Sequence, residues 1–204
     1  MKEYRLTDWL PTTKKEVELR GWDELDVILF SGDAYVDHPS FGPAIIGRVL
    51  EAEGYRVGYI SQPDFTTCES FKEYGRPKYA FMIGGGNVDS MVARYTVAKQ
   101  PRSVDEYTPG GKPGKRPDRC AIVYTHLAKE AYPDCPVILG ELEASLRRFA
   151  HYDYWMDTVL PSIVEDSGAD LVSFGMGERQ AVVIANRLAA GESISTITDL
   201  PGTC

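Results

Sequence analysis

Five short apolar runs, each followed by a segment of helical period, constrain this chain more than any other feature. The runs are Asp26–Ser31, Arg56–Ser61, Lys78–Ile83, Pro136–Leu139 and Asp170–Phe174. They are rich in Val, Ile, Leu and aromatic residues and too short for core helices, so each reads as a strand buried on both faces. Pro43–Glu53 places Ile45, Ile46, Val49 and Leu50 at helical spacing, with Gly54 behind it as a cap. Thr66–Tyr74, Asp89–Thr96, Cys120–Tyr132, Glu143–Phe149, Ser162–Ser167 and Arg179–Ala190 read as further helices. Strands alternating with helices imply a mostly parallel sheet covered on both faces. Five units are too few to close an eight-stranded barrel. The expectation is an open, doubly wound, flavodoxin-like α/β sheet of strand order 2-1-3-4-5. A chain of 204 residues suffices for one such domain, placed at 26–200 behind a polar arm, 1–25, in which Trp9, Leu10, Pro11 and Trp22 are possible anchors.

In an open parallel sheet, ligands sit at the carboxyl ends of the strands. Four of the five strand ends here carry glycine: Gly32, Gly84-Gly85-Gly86, Gly140 and Gly175-x-Gly177. Glycine there lets a ligand approach the backbone, and helix N-termini behind it offer N–H groups to anions. The first of these loops, Gly32 to Gly42, holds Asp33, Asp37 and His38. Those side chains suit metal ligation or acid–base work, or else the carboxylates cap turns and the following helix. A second polar–aromatic cluster, His151-Tyr152-Asp153-Tyr154-Trp155, follows Arg147-Arg148. It reads as a wall for a flat ligand, a docking surface, or a satellite core. The arginine pair can hold an anionic ligand or a neighbouring carboxylate such as Glu143.

Composition closes several routes. A formal charge of −8 argues against nucleic-acid binding over the whole surface. No apolar run approaches the ~18 residues of a membrane span. The first residues lack the apolar stretch of a secretory signal, so a cytoplasmic protein is the simplest reading. Cys68, Cys120, Cys135 and Cys204 have the spacing of no zinc ribbon, redox pair or compact iron–sulfur motif, and no metal site is expected. Residues 97–119 form a long polar connection whose Lys112–Arg119 end is basic, read as phosphate-contacting or as a solvated or mobile loop. The last residues, Leu200-Pro201-Gly202-Thr203-Cys204, look like a cut at a domain boundary.

Longer strings carry a resemblance. Gly32-Asp33-Ala34-Tyr35-Val36-Asp37-His38-Pro39-Ser40-Phe41-Gly42, Gln62-Pro63-Asp64, Gly86-Asn87-x-Asp89-Ser90-Met91, Tyr107-Thr108-Pro109-Gly110-Gly111, Gly114–Arg119, Glu143–Arg148 and Ala150–Trp155 together resemble the N-terminal domain of the YgiQ-type (UPF0313) radical SAM proteins. The likeness implies that the full-length protein binds a [4Fe–4S] cluster through C-x3-C-x2-C, with S-adenosylmethionine on its open iron. That motif is not in this chain. The resemblance therefore places cluster and SAM in a barrel beyond Cys204, and this fragment is expected to bind no cofactor and to catalyse nothing itself. It also implies a domain of the kind that binds cobalamin ahead of many radical SAM cores, with Gly175-x-Gly177-Glu178 as the matching turn. Two departures count against cobalamin. The glycine after His38 comes four residues on rather than three, and a second glycine expected after the fourth strand is Glu141.

Two functional readings follow. In the first, the chain is an accessory domain whose strand-end loops wall a site shared with the radical SAM barrel of the same polypeptide, acting on an unknown substrate. Candidate wall residues are Asp33, Asp37, His38, Gly85, Gly86, Asn87, Arg147, Arg148, His151, Gly175, Gly177 and Glu178. In the second, it is a stand-alone module for a nucleotide, flavin or cobalamin. A metal-dependent hydrolase using Asp37 and His38 is a third, weaker alternative.

Overall fold

A computed structural model describes residues 5–204 of the chain. Its centre is a five-stranded sheet of β1 (Val27–Ser31), β2 (Val57–Ser61), β3 (Ala80–Gly84), β4 (Val137–Gly140) and, numbered by chain order, β7 (Leu171–Val172). A separate antiparallel hairpin supplies β5 (His151–Asp153) and β6 (Thr158–Leu160). The central order is β2-β1-β3-β4-β7 with every pairing parallel, as the alternation predicts. The order reverses at β1, between β2 and β3, and this reversal is where such sheets open a crevice.

Side chains alternate across the sheet. Ile28, Phe30, Phe81, Ile83, Val137 and Leu139 face one layer, which contains α4 (Cys120–Ala131) and α6 (Ile163–Ser167). Val27, Leu29, Ala80, Met82 and Ile138 face the other, covered by α2 (Gly42–Ala52) and α7 (Glu178–Ala189), which touch each other. Both faces are dry, which is why these strands read as continuous apolar runs. Phe30 stacks on Phe71 at 4.5 Å and meets Phe81 edge-on at 5.5 Å, adding about 1 kcal/mol per pair to area burial. In the N-terminal region, α1 (Lys14–Leu19) starts in a capping box between Thr13 and Glu16. Leu10, Val17 and Leu25 are buried.

Four local expectations change. Thr66–Tyr74 holds only a 3-10 turn, Glu69–Lys72. Asp64 takes both the N–H and the hydroxyl of Thr66, and these local bonds compete with a helix. The expected helix Asp89–Thr96 shortens to α3 (Ser90–Arg94), and Glu143–Phe149 becomes α5 (Glu141–Leu146). The aromatic cluster at 151–155 opens the β5–β6 hairpin, an element too short and too exposed to show a burial pattern. The final turn-like residues are used structurally. Cys204 N–H donates to Val172 O at 3.0 Å, Val172 N–H donates back at 2.8 Å, and Thr203 bridges Ser173. The chain's last residues thus cover the open edge of β7, where unpaired backbone would otherwise invite association.

Candidate functional site

The strand-end face divides into three parts, because the connection 97–119 folds back over one of them. Arg116 is 2% exposed and is the anchor of that strap. Its guanidinium donates to Asp33 Oδ1 at 2.7 Å, to Gly85 O at 2.9 Å and to Val88 O at 3.2 Å, and lies 3.5 Å from Asp105. Asn87 N–H donates to the other Asp33 oxygen at 2.7 Å. Ala34 N–H donates to Tyr107 O, and Gln62 Nε2 donates to both Gly32 O and Thr108 Oγ1. Burial pushes the Asp33 carboxyl up, against the pull of Arg116 and the Asn87 N–H. Asp33, Gly85, Gly86 and Asn87 therefore come together, but as a sealed internal network. The basic segment that carries Arg116 is not wholly solvated either: Arg119 pairs with Asp153 at 3.0 Å.

The glycine run after β3 makes room for the protein's own carboxylates. A Cβ on Gly84 would run into the Glu141 carboxyl, and one on Gly86, at φ +105, into Asp33. Glu143 is fully buried and accepts from the N–H groups of Ser90 at 2.8 Å and Ala121 at 3.0 Å. It ties the starts of α3 and α4 to α5. Arg147 does not pair with Glu143, as helical spacing allows, but with Asp89, the N-cap of α3.

The second part is open. Between α2, α7 and the ends of β1, β3 and β4 lies a crevice of about 290 Å³. Leu29, Ile45, Ile46, Met82, Ile138, Ala181 and Ile184 line its body, and Ser40, Glu141, Ser173, Gly175, Gly177 and Glu178 its mouth. Three predicted residues, Gly175, Gly177 and Glu178, meet here. Glu141 stands at the mouth with a backbone φ of +64, a conformation costly for a side-chain-bearing residue. Its Oε2 accepts the Gly86 N–H at 2.6 Å, while its enclosed Oε1 has no partner among the described residues. Burial pushes this carboxyl up to about 8, opposed by the Gly86 bond and reinforced by Asp33 nearby. The Ser173 hydroxyl, also buried and unpartnered, belongs to the same crevice.

Asp37 and His38 lie outside both parts. Asp37 pairs with Arg48 of α2 at 2.5 Å and does not cap that helix, whose N-cap is Phe41. His38 is exposed, and its Nδ1 accepts the Ser40 N–H at 3.1 Å. The third part is the corner beyond α5. The Arg148 guanidinium lies over the rings of Phe149 at 4.8 Å and Phe174 at 4.7 Å. His151 Nδ1 is 3.1 Å from Phe149 O. Leu146, Phe149, Tyr152, Tyr154, Met156 and Met176 are exposed in this region, and Cys204 Sγ reaches Arg148 O at 4.0 Å. Sequence reasoning missed Arg116, Asp105 and Ser173. The available signal for Arg116 was Asp33 itself, since a carboxylate in a loop between buried strands requires a cation. Glu141 was visible as a departure from the expected glycine.

These features define a class: an open, doubly wound α/β domain of the Rossmann type whose strand-end face is braced by its own carboxylates and keeps one crevice at the point of strand reversal. The chain belongs to the radical SAM N-terminal family, whose model matches residues 9–204. It is 62% identical over 189 residues to a UPF0313 protein of Bacteroides thetaiotaomicron, covering 92% of this chain and 30% of that protein. It is 56% identical over 195 residues to a UPF0313 protein of Pseudomonas aeruginosa, covering 96% of this chain and 26% of that one. A UPF0313 protein of Clostridium botulinum is 55% identical over 196 residues, with 96% and 31% covered. The chain thus spans about 30% of the length of these relatives. Among the described residues no helix is long and apolar enough to cross a membrane.

Proposed function

We propose that this domain is the accessory N-terminal part of a radical SAM iron–sulfur protein, and that the corner beyond α5 docks it onto the barrel that follows in the same polypeptide. One coincidence carries the reading. The Arg148 guanidinium joins Phe149 to Phe174, and the segments that adjoin these two residues carry the exposed apolar side chains Phe149, Tyr152, Tyr154 and Met176. Such clusters mark interaction surfaces, and the relatives are about three times longer. Arg147, Arg148 and His151 then stand at the domain junction, and the crevice mouth opens beside it.

In this reading the [4Fe–4S] cluster and S-adenosylmethionine are held outside this chain, because its own thiols do not fit a cluster. Cys68, Cys120 and Cys135 are enclosed. Burial pushes the Cys120 thiol up and that of Cys135 up to about 11, away from the thiolate that iron requires. Among the described residues no three His, Cys, Asp or Glu side chains form a metal-holding group. When bound, the pair would supply a 5′-deoxyadenosyl radical for hydrogen abstraction. This domain's share is to hold a wall and exclude water. The test compares hydrogen exchange in this chain and in the polypeptide extended past residue 204. Residues 149–159 and 175–177 should gain protection in the longer protein, and iron–sulfur absorption should appear there alone after reconstitution. Equal protection in both, or a cluster on the short chain, would overturn the reading.

A second reading, a stand-alone module for a nucleotide, flavin or cobalamin, is favoured by the crevice at the strand reversal. Of the three ligands, cobalamin has least support. The Glu141 carboxyl occupies the space above Gly84 that a macrocycle on this edge would need. Flavin or corrin bands in the purified chain would favour this module over the docking domain.

A further inference from the structure

We propose that the crevice between α2 and α7 is a binding site for a small, flat, uncharged nitrogen heterocycle whose edge hydrogen-bonds to Glu141 and Ser173. The site is built from two kinds of observation that arise independently. The first is shape and polarity. The body of the crevice is formed by aliphatic side chains from β1, β3, β4, α2 and α7, so it takes an apolar face on each side of a thin ligand. At about 290 Å³ it stands at the lower end of the roughly 300–1,000 Å³ range of small-molecule sites. It suits a ring system of two or so rings rather than a whole dinucleotide.

The second is unmet hydrogen bonding. Ser173 is only 9% exposed, and its hydroxyl has no partner. Glu141 Oε1 is likewise enclosed and unpartnered, and it lies toward Gly42, another residue of the crevice lining. A buried polar group without a partner costs about 1–3 kcal/mol, and two at one mouth call for a ligand that satisfies both. The Ser173 hydroxyl both donates and accepts. The Glu141 carboxyl accepts through Oε1, and when protonated donates from it. A heterocycle edge with an N–H beside a ring nitrogen matches that pair. An anionic ligand is opposed by the Glu178 carboxylate at the mouth. The site takes its ligand whether or not the α5 corner docks on a following domain. The crevice body is built from this chain alone, so failure of docking leaves the binding measured on this chain intact.

The test titrates the chain with 7-azaindole and with indole, which have the same shape but differ in the ring-nitrogen acceptor, and follows amide resonances by NMR. 7-Azaindole should bind saturably and at least tenfold more tightly than indole, the factor of one good hydrogen bond of about 1.4 kcal/mol. Gly42, Gly86 and Gly177 should shift. Ser173→Ala and Glu141→Leu should each weaken 7-azaindole several-fold, because each removes one partner of its N–H and ring-nitrogen edge, and the double variant should bring the preference over indole toward unity. Ile46→Trp, which fills the crevice from α2, should abolish both and keeps the test open if Glu141→Leu does not fold. Equal affinity for the two probes, no saturable binding of either, or binding that survives Ile46→Trp would each overturn the proposal.

Discussion

Glu141 makes the stability of this domain depend on pH in a direction opposite to that of most carboxylates. In the unfolded chain its carboxyl ionises near 4.5; in the fold it does so at about 8. The folded state therefore holds a proton that the unfolded state releases across that window. Stability contributed by the protonated group is fully present below pH 4.5 and is lost as pH rises through 8. Each pH unit in which only the folded form is protonated costs about 1.4 kcal/mol. Allowing for partial ionisation of the unfolded chain at pH 5, the loss between pH 5 and pH 7 is about 2.5 kcal/mol. Asp33 and Glu73, also raised by burial, add a fall of the same sign. Asp26 and Asp153, held low by Arg56 and by Met156 N–H and Arg119, act only at more acid pH. Glu141→Gln isolates the effect, because its amide oxygen still accepts the Gly86 N–H but cannot ionise. Urea denaturation followed by circular dichroism at pH 5, 6, 7 and 8 gives the comparison, with the m-value as a check on two-state behaviour. The variant should match the native chain at pH 5 and exceed it by roughly 2 kcal/mol at pH 7. Parallel curves across the whole range would refute the burial argument.

Further outcomes follow from other contacts. Arg116→Met leaves Asp33 buried beside two unserved carbonyls, and should cost about 3–5 kcal/mol and expose amides of residues 97–116 to hydrogen exchange before global unfolding. Gly84→Ala forces the Glu141 carboxyl aside and should cost about 1–3 kcal/mol; in a Glu141→Ala background the same change should cost far less, a coupling that denaturation of the four proteins reads directly. Phe149→Ser removes an exposed side chain, so the chain's own stability should stay within about 0.5 kcal/mol, while protection of residues 151–159 in the extended polypeptide should fall.

Much of the fold was legible because it rests on local pattern. The apolar runs at Val27–Ser31 and Ala80–Gly84 lie on interior strands, and that at Val57–Ser61 on an edge strand whose two faces are likewise covered, so no surface alternation obscured them. The helix at Glu178–Ala189 announced itself by a period of apolar positions and by Gly191 after it. The hairpin at residues 151–160 left no such trace, because its strands are three residues long and the one buried side chain on them is a carboxylate, Asp153. The 97–119 connection misled for another reason. Its polarity reads as solvation, yet Asp105, Thr108 and Arg116 are buried, and the partners of Thr108 and Arg116, Gln62 and Asp33, lie far off in sequence.

The same distinction separates the candidate site from the scaffold that carries it. The amino-acid sequence by itself determined the sheet, its strand order and the edge at which loops gather, since hydrophobic period and chain connectivity act over neighbouring residues. It also placed Asp33, Gly86, Asn87, Gly177 and Glu178 on that edge. Only the tertiary structure decided which of them face a ligand. Asp33 is consumed by Arg116, 83 residues away, whereas Glu141, a mere departure from an expected glycine, keeps one oxygen without a partner. Pairing of buried charges is settled by three-dimensional proximity and desolvation, and neither quantity is written in the spacing of residues along the chain.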